Sequence, residues 1–188
     1  MESPHLDLTN HFLIAMPSMD DPNFSQSVTY ICEHGAEGAM GIVINRPMEI
    51  SLGDVLEQLD INHTGLPAEQ QPVYAGGPVL EERGFILHRP RGEWESSLQV
   101  TPEISVTTSK DILAALGEGR GPADVIFALG YAGWSAGQLE QEMQDNAWLS
   151  APASTDILFK TPPARRWLEA AKLIGIDPRL LSSNSGHA

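Results

Sequence analysis

The chain has 188 residues, a single cysteine (Cys32) and a net charge of −14. This length can bury a full core as one domain, and one cysteine excludes an internal disulfide, which favours a reducing compartment. The longest apolar run near the start, residues 12–16, follows no basic segment and is too short for a signal peptide or a membrane span. The sequence therefore predicts a cytoplasmic protein, a single domain over residues 1–188, and we expect a monomer.

The charge is unevenly distributed along the chain. Residues 1–82 carry a net charge of −12 with Arg46 as their one basic residue, whereas residues 83–188 carry −2. Binding to duplex DNA depends on lysine and arginine that neutralise phosphates, and an acidic protein repels DNA at long range. Direct nucleic-acid binding is therefore not expected, and the acidic surface is otherwise explained by solubility.

The first half of the chain reads as strands with one short helix. "FLIA" (12–15) predicts a strand, and "SVTYICE" (27–33) and "AMGIVIN" (39–45) predict a β-hairpin around a five-residue turn, "HGAEG". "SLGDVLEQL" predicts a helix that opens with a capping box formed by Ser51 and Asp54. "VYA" (73–75) predicts a strand that ends at two glycines.

The second half mixes strands with longer helical patterns. "FILHR" (85–89) predicts a strand, and "QVTPEISVT" (99–107) predicts extended chain. "SKDILAALGEG" predicts a helix capped by Ser109, and "TPPARRWLEAAKLIG" predicts one with Thr161 as cap and Pro162 at the first position. "DVIFALG" (124–130) is typical of a central strand buried on both faces, and the tail "SSNSGHA" has no periodicity. This order predicts an α/β (mixed α+β) domain with a mixed sheet flanked by helices.

Three spaced glycines follow that central strand in "GYAGWSAGQ". Their G-x-x-G-x-x-x-G spacing matches neither a dinucleotide fingerprint, a P-loop nor a nucleophile elbow. Ser135 and Gln138 predict a capping box, so the stretch is either a plain strand-to-helix join or a helix N-terminus that binds an anion. In the second case Tyr131 and Trp134 supply walls of the site.

Two further stretches suggest anion recognition. The glycines of "YAGGPV" either form a tight turn or direct their N–H groups at an anion. Asn45 and Arg46 follow a predicted strand, where Arg46 either grips a phosphate or carboxylate or pairs with a nearby acid. The sequence thus predicts one ligand-binding cleft, made of Asn45, Arg46, Gly76, Gly77, Pro78, Tyr131, Gly133, Trp134, Ser135 and Gly137.

The remaining reactive residues give weaker patterns. Cys32 and His34 lie two positions apart and so on one face of the predicted strand. They are either a nucleophile and its base, or a buried unreactive thiol beside a histidine. The histidines never fall at metal-ligand spacing, so no metal site, no cofactor and no catalytic residue is predicted. A basic patch that could bind an acidic partner is predicted at Arg83, His88, Arg89 and Arg91. The alternative is that these residues form a solvated strand edge.

Four segments resemble the AlgH/YqgE family: "AMPSMDDPNFSQSVTYICEHGAEGAMGIVINRP", "YAGGPV", "LGYAGWSAGQLEQEMQDNAWL" and "GIDPRLLSSNSGHA". The resemblance implies a mixed sheet curled towards an open barrel with helices around it. It also implies a bacterial cytosolic protein linked to transcriptional regulation of alginate biosynthesis, and no particular reaction. The family's signature positions correspond to Met16, Pro17, Phe24, His34, Asn45, Arg46, Gly76, Gly77, Pro78, Gly130, Tyr131, Gly133, Trp134, Gln138 and Trp148.

Three functions remain open on the sequence. The preferred one is a regulatory protein that binds a small anionic ligand or a protein partner in the cleft around Arg46, Gly76 and Gly133. The alternatives are an acyl- or phosphoryl-transfer enzyme, which lacks a convincing nucleophile and base, and a direct DNA-binding regulator, which lacks a basic recognition helix. If the cleft is right, Arg46→Ala weakens anion binding with little loss of stability, and Ser135→Ala costs about 1 kcal/mol as a lost cap.

Overall fold

The computed structural model of the chain describes residues 6–182, so the tail at 183–188, for which no regular element is predicted, lies outside the described residues. The strands are β1 (His11–Ala15), β2 (Val28–Gly35), β3 (Gly38–Val43), β4 (Pro47–Ser51), β5 (Pro72–Ala75), β6 (Val79–Arg89), β7 (Ser97–Gln99), β8 (Ser105–Thr107), β9 (Asp124–Ser135) and β10 (Trp148–Pro152). The helices are α1 (Leu52–Gln58), α2 (Asp111–Gly117), α3 (Gln138–Gln144), α4 (Thr155–Phe159), α5 (Pro163–Lys172) and α6 (Pro178–Ser182), with a 3-10 turn at Pro67–Gln70.

The strands form one curled sheet, a half-barrel. Its order is β10-β1-β2-β3-β9-β6-β8-β7, with β5 beside β9 and β4 beside β5. All pairings are antiparallel except that of β5 with β9, which is parallel. The predicted α/β fold class, a mixed sheet curled towards an open barrel with flanking helices, is therefore confirmed.

The longest strand, β9, organises the fold. Its first half pairs with β6 and β5, and its second half pairs with β3. The prediction that this strand ends at Gly130 is wrong, because the chain bends there with φ +79° and stays in the sheet through Ser135. Beyond the bend, Ala132 and Trp134 are buried, so the glycine-rich stretch is sheet and not a loop.

The hairpin of β2 and β3 is tighter than predicted. Gly35 pairs with Gly38, which leaves a two-residue turn at positions 36 and 37 where the sequence predicts five residues. A bulge in β2 between Ile31 and Glu33 shifts the register of this pair. Gly38 at the turn still pairs with Ser135 of β9, so β3 stays in the sheet up to the turn, and residues of β2 after the bulge change faces.

Helix capping follows the predictions only in part. Ser51 and Asp54 form the predicted capping box of α1. Ser109 does not cap α2, because its hydroxyl donates to the Asp111 carboxylate and the helix starts after Lys110. A neighbouring carboxylate has thus replaced the helix backbone as the partner of this serine.

Helix α5 begins one residue later than predicted. Pro162 is its N-cap, with φ −56° and ψ 141°, and Pro163 is the first helical residue. A residue that precedes proline is excluded from the helical region, so Pro162 cannot enter the helix. The Thr161 hydroxyl donates to the Asp156 carbonyl and makes no cap for α5.

The core is divided among three apolar clusters along the curled sheet. One packs α4 and α5 on the sheet, a second packs α1 and α2, and a third packs α3 beside β1 and the end of β9. Within residues 6–182, no helix combines the length and the apolar character needed to cross a membrane.

Candidate functional site

An open groove of about 580 Å³ crosses the second half of β9, and we call it the β9 groove. Its buried or half-buried residues form the floor, and its exposed residues form the rim. The floor consists of Ala39, Met40, Val79, Phe85, Tyr131 and Trp134. The rim consists of Glu33, Leu80, Arg83 and Gly133.

Two smaller pockets adjoin this groove and share residues with it. One, of about 420 Å³, lies against the hairpin tip at residues 35–38 and shares Glu33, Ala39, Met40 and Trp134 with the groove. The other, of about 320 Å³, lies towards β7 and β8 and shares Met40 and Phe85. The three together make a continuous concave surface across the sheet, the kind of surface on which proteins hold small molecules.

A bulge in β6 builds one wall of the β9 groove. Val79 pairs with Tyr131 and the next pair is Gly84 with Leu129, so residues 80–83 lie opposite Gly130 alone. Leu80 adopts φ +50°, a conformation that costs a leucine free energy, and its side chain is 53% exposed. The structure thus holds an apolar side chain in solvent at a strained position beside the groove, which is a pattern that occurs at binding sites.

Arg83 is the cation of the β9 groove. Its guanidinium carbon lies 5.8 Å from the centre of the Phe85 ring, and its Nη2 donates to the Thr108 hydroxyl at a long 3.4 Å. The side chain is otherwise exposed, with no ion pair to another described residue. A guanidinium has five N–H donors, so most of those of Arg83 remain available to an anion.

Tyr131 and Phe85 form the aromatic part of the floor. Their rings meet edge to face with 5.3 Å between the centres. Gly133 follows on β9, and a Cβ atom there would lie 3.3 Å from the Tyr131 ring. The predicted site residues Tyr131 and Gly133 therefore do line a concave surface.

Trp134 contributes an edge and belongs mainly to a structural cluster. It is 6% exposed, and its ring packs against Phe24 and Trp148. Its indole N–H and that of Trp148 both donate to Oε1 of Glu142, at 3.0 and 2.9 Å. The Gln138 side-chain amide donates to Oε2 of Glu142 and so holds this carboxylate in place. The two indole hydrogen bonds to Glu142 thereby connect α3 to the sheet.

Arg46 and Asn45 lie elsewhere and brace a loop. Arg46 donates to the carbonyl oxygens of Pro22, Asn23 and Ser25 at 2.8, 2.6 and 2.7 Å. The Asn45 amide accepts from the backbone N–H of residue 28 and donates to the carbonyl of residue 26. Burial lowers the pKa of the Arg46 guanidinium, against the opposing effect of a nearby carboxylate. Arg46 is thus held by carbonyls and does not line the β9 groove.

The glycines of "YAGGPV" support a close crossing of two backbones. The N–H of Gly76 donates to the Leu129 carbonyl, so it is not available to an anion. A Cβ atom on Gly77 would overlap the Tyr131 backbone, and one on Gly130 would overlap the Gly77 carbonyl. Pro78 lies outside the β9 groove and lines a neighbouring open pocket of about 730 Å³, which shares Leu80 and Arg83 with the groove.

Ser135 and Gly137 do not form the predicted anion-binding helix end. The N-cap of α3 is Gly137, in the left-handed region, and Ser135 is still in β9. The Gln138 side chain accepts from both the N–H and the hydroxyl of Ser135, so only the reciprocal half of the capping box exists. The prediction that Ser135 caps a helix is wrong because the strand runs on to this residue.

The predicted basic patch is dispersed in the fold. His88 is fully buried, with its Nδ1–H donating to the Pro90 carbonyl and its Nε2 accepting from the Thr107 hydroxyl. Burial lowers the pKa of His88, although the bond to Pro90 opposes this, so it is neutral at pH 7. Arg89 forms an ion pair with Asp124 at 2.8 Å.

Arg91 adds no cation to a common surface either. Its Nε donates to the carbonyl of Pro102, at 2.6 Å, in the loop between β7 and β8. Of the four predicted patch residues, Arg83 alone lines the β9 groove. Alternation along β6 puts His88 and Arg89 on opposite faces of the sheet, and the bulge at residues 80–83 sets Arg83 apart from both.

His34 is a structural residue with both ring nitrogens in use. The backbone N–H of Leu8 donates to Nδ1 at 2.9 Å, so Nδ1 is an acceptor and the proton is on Nε2. Nε2 donates to Oε1 of Glu140 at 2.6 Å. This ring fastens the segment before β1 and helix α3 to the hairpin, and it has no lone pair left to act as a base.

Cys32 and His34 are not a catalytic pair. Cys32 is 2% exposed in the cluster that contains Tyr30, whereas His34 contacts residues of the cluster beside α3. The bulge in β2 between Ile31 and Glu33 breaks the alternation on which the same-face prediction rests. Burial, with a smaller effect of Glu33, raises the pKa of the Cys32 thiol.

Cys32→Ser is expected to destabilise the protein without abolishing its binding activity. The serine hydroxyl is more costly to bury than a thiol, by about 1–3 kcal/mol. The wild-type thiol should react with a thiol reagent only as fast as the protein opens. Chemical denaturation and native-state labelling measure both, and rapid labelling of the folded protein would instead indicate a reactive cysteine.

Residues 6–182 contain no group of three or more histidine, cysteine, aspartate or glutamate side chains placed to hold a metal ion.

Six of the ten described residues that line the β9 groove belong to no site predicted from the sequence. Glu33, Met40 and Phe85 fall within predicted strands, and nothing in the sequence marks them as groove residues. Leu80 gave no signal, because its exposure depends on the β6 bulge and on the bend at Gly130. Arg83 is predicted, but as part of a basic patch for an acidic partner, since the register of β6 against β9 is not visible in the sequence.

Two curated relatives resemble the chain over nearly its whole length. A UPF0301 protein of Thioalkalivibrio sulfidiphilus is 57% identical over 182 residues, which cover 97% of each chain. One of Vibrio vulnificus is 56% identical over 187 residues, which cover 97% of this chain and 100% of its own.

Solved structures share the same fold. The solution structure of the AlgH protein from Pseudomonas aeruginosa has a TM-score of 0.78 and 47% identity, with 100% of both chains covered. The crystal structure of a Corynebacterium diphtheriae protein has a TM-score of 0.72 over 97% of this chain and 94% of its own, and its 21% identity shows the fold alone. The AlgH-like family matches residues 12–179. The resemblance read from the sequence is thus confirmed, and the chain belongs to the AlgH-like family.

Proposed function

We propose that this protein is a cytoplasmic regulator that binds a small anionic ligand, or a partner that presents such a group, in the β9 groove. The observation that carries the proposal is Arg83, an exposed and largely unpaired cation above an aromatic floor. An open, mainly apolar groove with a few charged groups at its rim, here Arg83 and Glu33, is typical of a binding site. Membership of a family named after AlgH supports a regulatory role, for which alginate biosynthesis is the process that the sequence resemblance suggests.

The proposed site differs from the one expected on the sequence. The cation moves from Arg46, whose three hydrogen bonds to carbonyls occupy it, to Arg83. The glycine stretch contributes Tyr131 and Gly133 to the floor and rim, not a helix N-terminus.

The alternative function, an acyl- or phosphoryl-transfer enzyme, is less well supported by the structure. An activated nucleophile needs a base within hydrogen-bonding distance. Cys32 is buried in the core, and both nitrogens of His34 are engaged. The groove offers a cation and apolar surface, which suit binding better than covalent catalysis.

A nuclear magnetic resonance titration with phosphate, nucleotides and carboxylate metabolites tests this proposal. At least one anion should shift the amides of Met40, Tyr131 and Gly133 together with the side-chain signals of Arg83. Arg83→Gln should abolish the response, and Arg165→Gln, an exposed arginine of α5, should leave it unchanged. Shifts centred on Arg46 and Gly76 would place the anion at the site first expected from the sequence and refute this one.

The isolated protein is expected not to bind duplex DNA specifically. Its net charge is −14, and the predicted basic patch does not form a continuous surface. A mobility-shift titration at about 0.15 M salt should show at most the non-specific level, a Kd of about 10⁻⁴–10⁻⁶ M. Submicromolar, sequence-dependent binding by the protein alone would contradict it.

A further inference from the structure

The charges around the β9 groove restrict which anions it can accept. Among the described residues, Arg83 is the one basic side chain that lines the groove, and Glu33 lies on the same rim. Glu81 and Glu82 lie on the same bulge as Arg83 and line the neighbouring pocket of about 730 Å³, which Arg83 also lines. A ligand with two or more negative charges would gain one cation, face the Glu33 carboxylate on the rim and lie beside the pocket that holds the other two carboxylates, and like charges repel.

The floor restricts the rest of the ligand. Met40, Phe85 and Tyr131 present apolar and aromatic surface, and Leu80 projects from the bulge above it. A flat apolar body would cover these side chains and remove Leu80 from water. Aromatic rings contact methionine sulfur and other rings favourably. The Arg83 guanidinium already lies over the Phe85 ring, and an aromatic ring of a ligand can stack beside this pair.

From this combination we infer that the β9 groove binds an organic monoanion with a flat apolar body, such as an aromatic carboxylate or sulfonate. Arg83 binds the anionic group, and Leu80 packs on the body. The inference rests on the proposed function and narrows it, since it excludes phosphate, pyrophosphate and nucleoside triphosphates as preferred ligands.

A pair of fluorescent probes tests the inference directly. 8-Anilinonaphthalene-1-sulfonate is a monoanion with a flat apolar body, and N-phenyl-1-naphthylamine has the same body without the charge. The folded wild-type protein should bind the sulfonate more tightly, with shifts of the Met40, Tyr131 and Gly133 amides. Arg83→Gln should weaken sulfonate binding about tenfold or more and change binding of the neutral amine less than about twofold. Arg165→Gln is the matched control and should change neither.

The strained leucine gives a second, independent readout. Asparagine tolerates the left-handed region better than leucine, so Leu80→Asn should keep or raise the melting temperature. The same change removes the apolar contact and should weaken binding of both probes about threefold or more. A merely structural role of Leu80 would instead lower the melting temperature and leave probe binding unchanged.

Three outcomes would overturn the inference. If Arg83→Gln weakened the binding of both probes equally, Arg83 would not recognise the negative charge of the ligand. Displacement of the sulfonate by pyrophosphate or adenosine triphosphate at lower concentration than by 1-naphthoate would identify a polyanion site, and the proposed function would survive. Absence of any groove shift with either probe or with the anions of the titration above would refute the inference and the proposed function together.

Discussion

Gly130→Ala is expected to lower the free energy of unfolding by about 4 kcal/mol or more, enough to unfold a marginally stable domain. Gly130 adopts φ +79°, where a side chain is strained, and a Cβ atom there would overlap the Gly77 carbonyl and press on Val79. Both contacts are with backbone of the crossing segment, which cannot rotate away as a side chain does. Relief requires separation of β9 from the start of β6, and hence loss of the bend that carries the β9 groove.

A graded series of glycine substitutions separates strain from overlap. Gly35→Ala has neither, since its φ is not positive and nothing lies within 4 Å of the new Cβ atom, so it should change stability by less than about 0.5 kcal/mol. Gly137→Ala has the strain alone, with φ +78° and open space, and should cost about 1–2 kcal/mol. Gly77→Ala overlaps the Tyr131 backbone and should resemble Gly130→Ala.

Chemical denaturation measures these differences. Where the dependence of the unfolding free energy on denaturant concentration is unchanged, a shift in the midpoint concentration reports a change of stability alone. If Gly130→Ala were no worse than Gly137→Ala, the overlap would be relieved by a small shift, and the crossing would not be a rigid part of the fold.

The elements that the sequence predicts well are those whose signals are local. The capping box of α1 requires only Ser51 and Asp54 in one turn, and the apolar run at 124–130 identifies a central strand wherever it pairs. These features depend on residues a few positions apart, so no knowledge of the fold is needed to find them.

The errors occur where a distant segment determines the local structure. Gly130 reads as a strand end, but the segment at residues 76–79 packs against it and keeps it in the sheet. Ser135 reads as a helix cap, but pairing with Gly38 of β3 extends the strand to it. Arg46 reads as a cation at a cleft, although the carbonyls that bind it belong to a loop about twenty residues earlier.

The site is harder to predict than the fold for the same reason. A groove depends on the relative register of strands that are distant in sequence, here β3, β6 and β9. The residue that supplies its charge, Arg83, is conspicuous only after the bulge places it beside Tyr131 and Met40. The sequence identifies the residue types that a site needs and cannot say which of them meet.

Arg46→Ala is expected to lower the free energy of unfolding by about 2–4 kcal/mol, contrary to the expectation from the sequence. The substitution removes three hydrogen bonds from a charged donor to the carbonyls of residues 22, 23 and 25. That loop leads directly into β2. The N–H of Ser27 donates to the Phe24 carbonyl, and the Ser27 carbonyl accepts from the N–H of Ala15 in β1, so the loop is also bonded to that strand. Amides of residues 24–28 should therefore exchange with solvent faster in the variant.

Matched variants identify the cause of that loss. Arg46→Lys keeps the charge but replaces a planar fork by one ammonium, so it should recover only part of the stability. Arg165→Ala removes an exposed arginine whose ion pair with Glu169 is long, 3.4 Å, and should cost less than about 0.5 kcal/mol. Ser135→Ala should also cost less than about 0.5 kcal/mol, because Ser135 caps no helix. Should Arg46→Ala fold with wild-type stability and lose anion binding, Arg46 would be a ligand-binding residue after all, and the loop carbonyls would only hold it between encounters with its ligand.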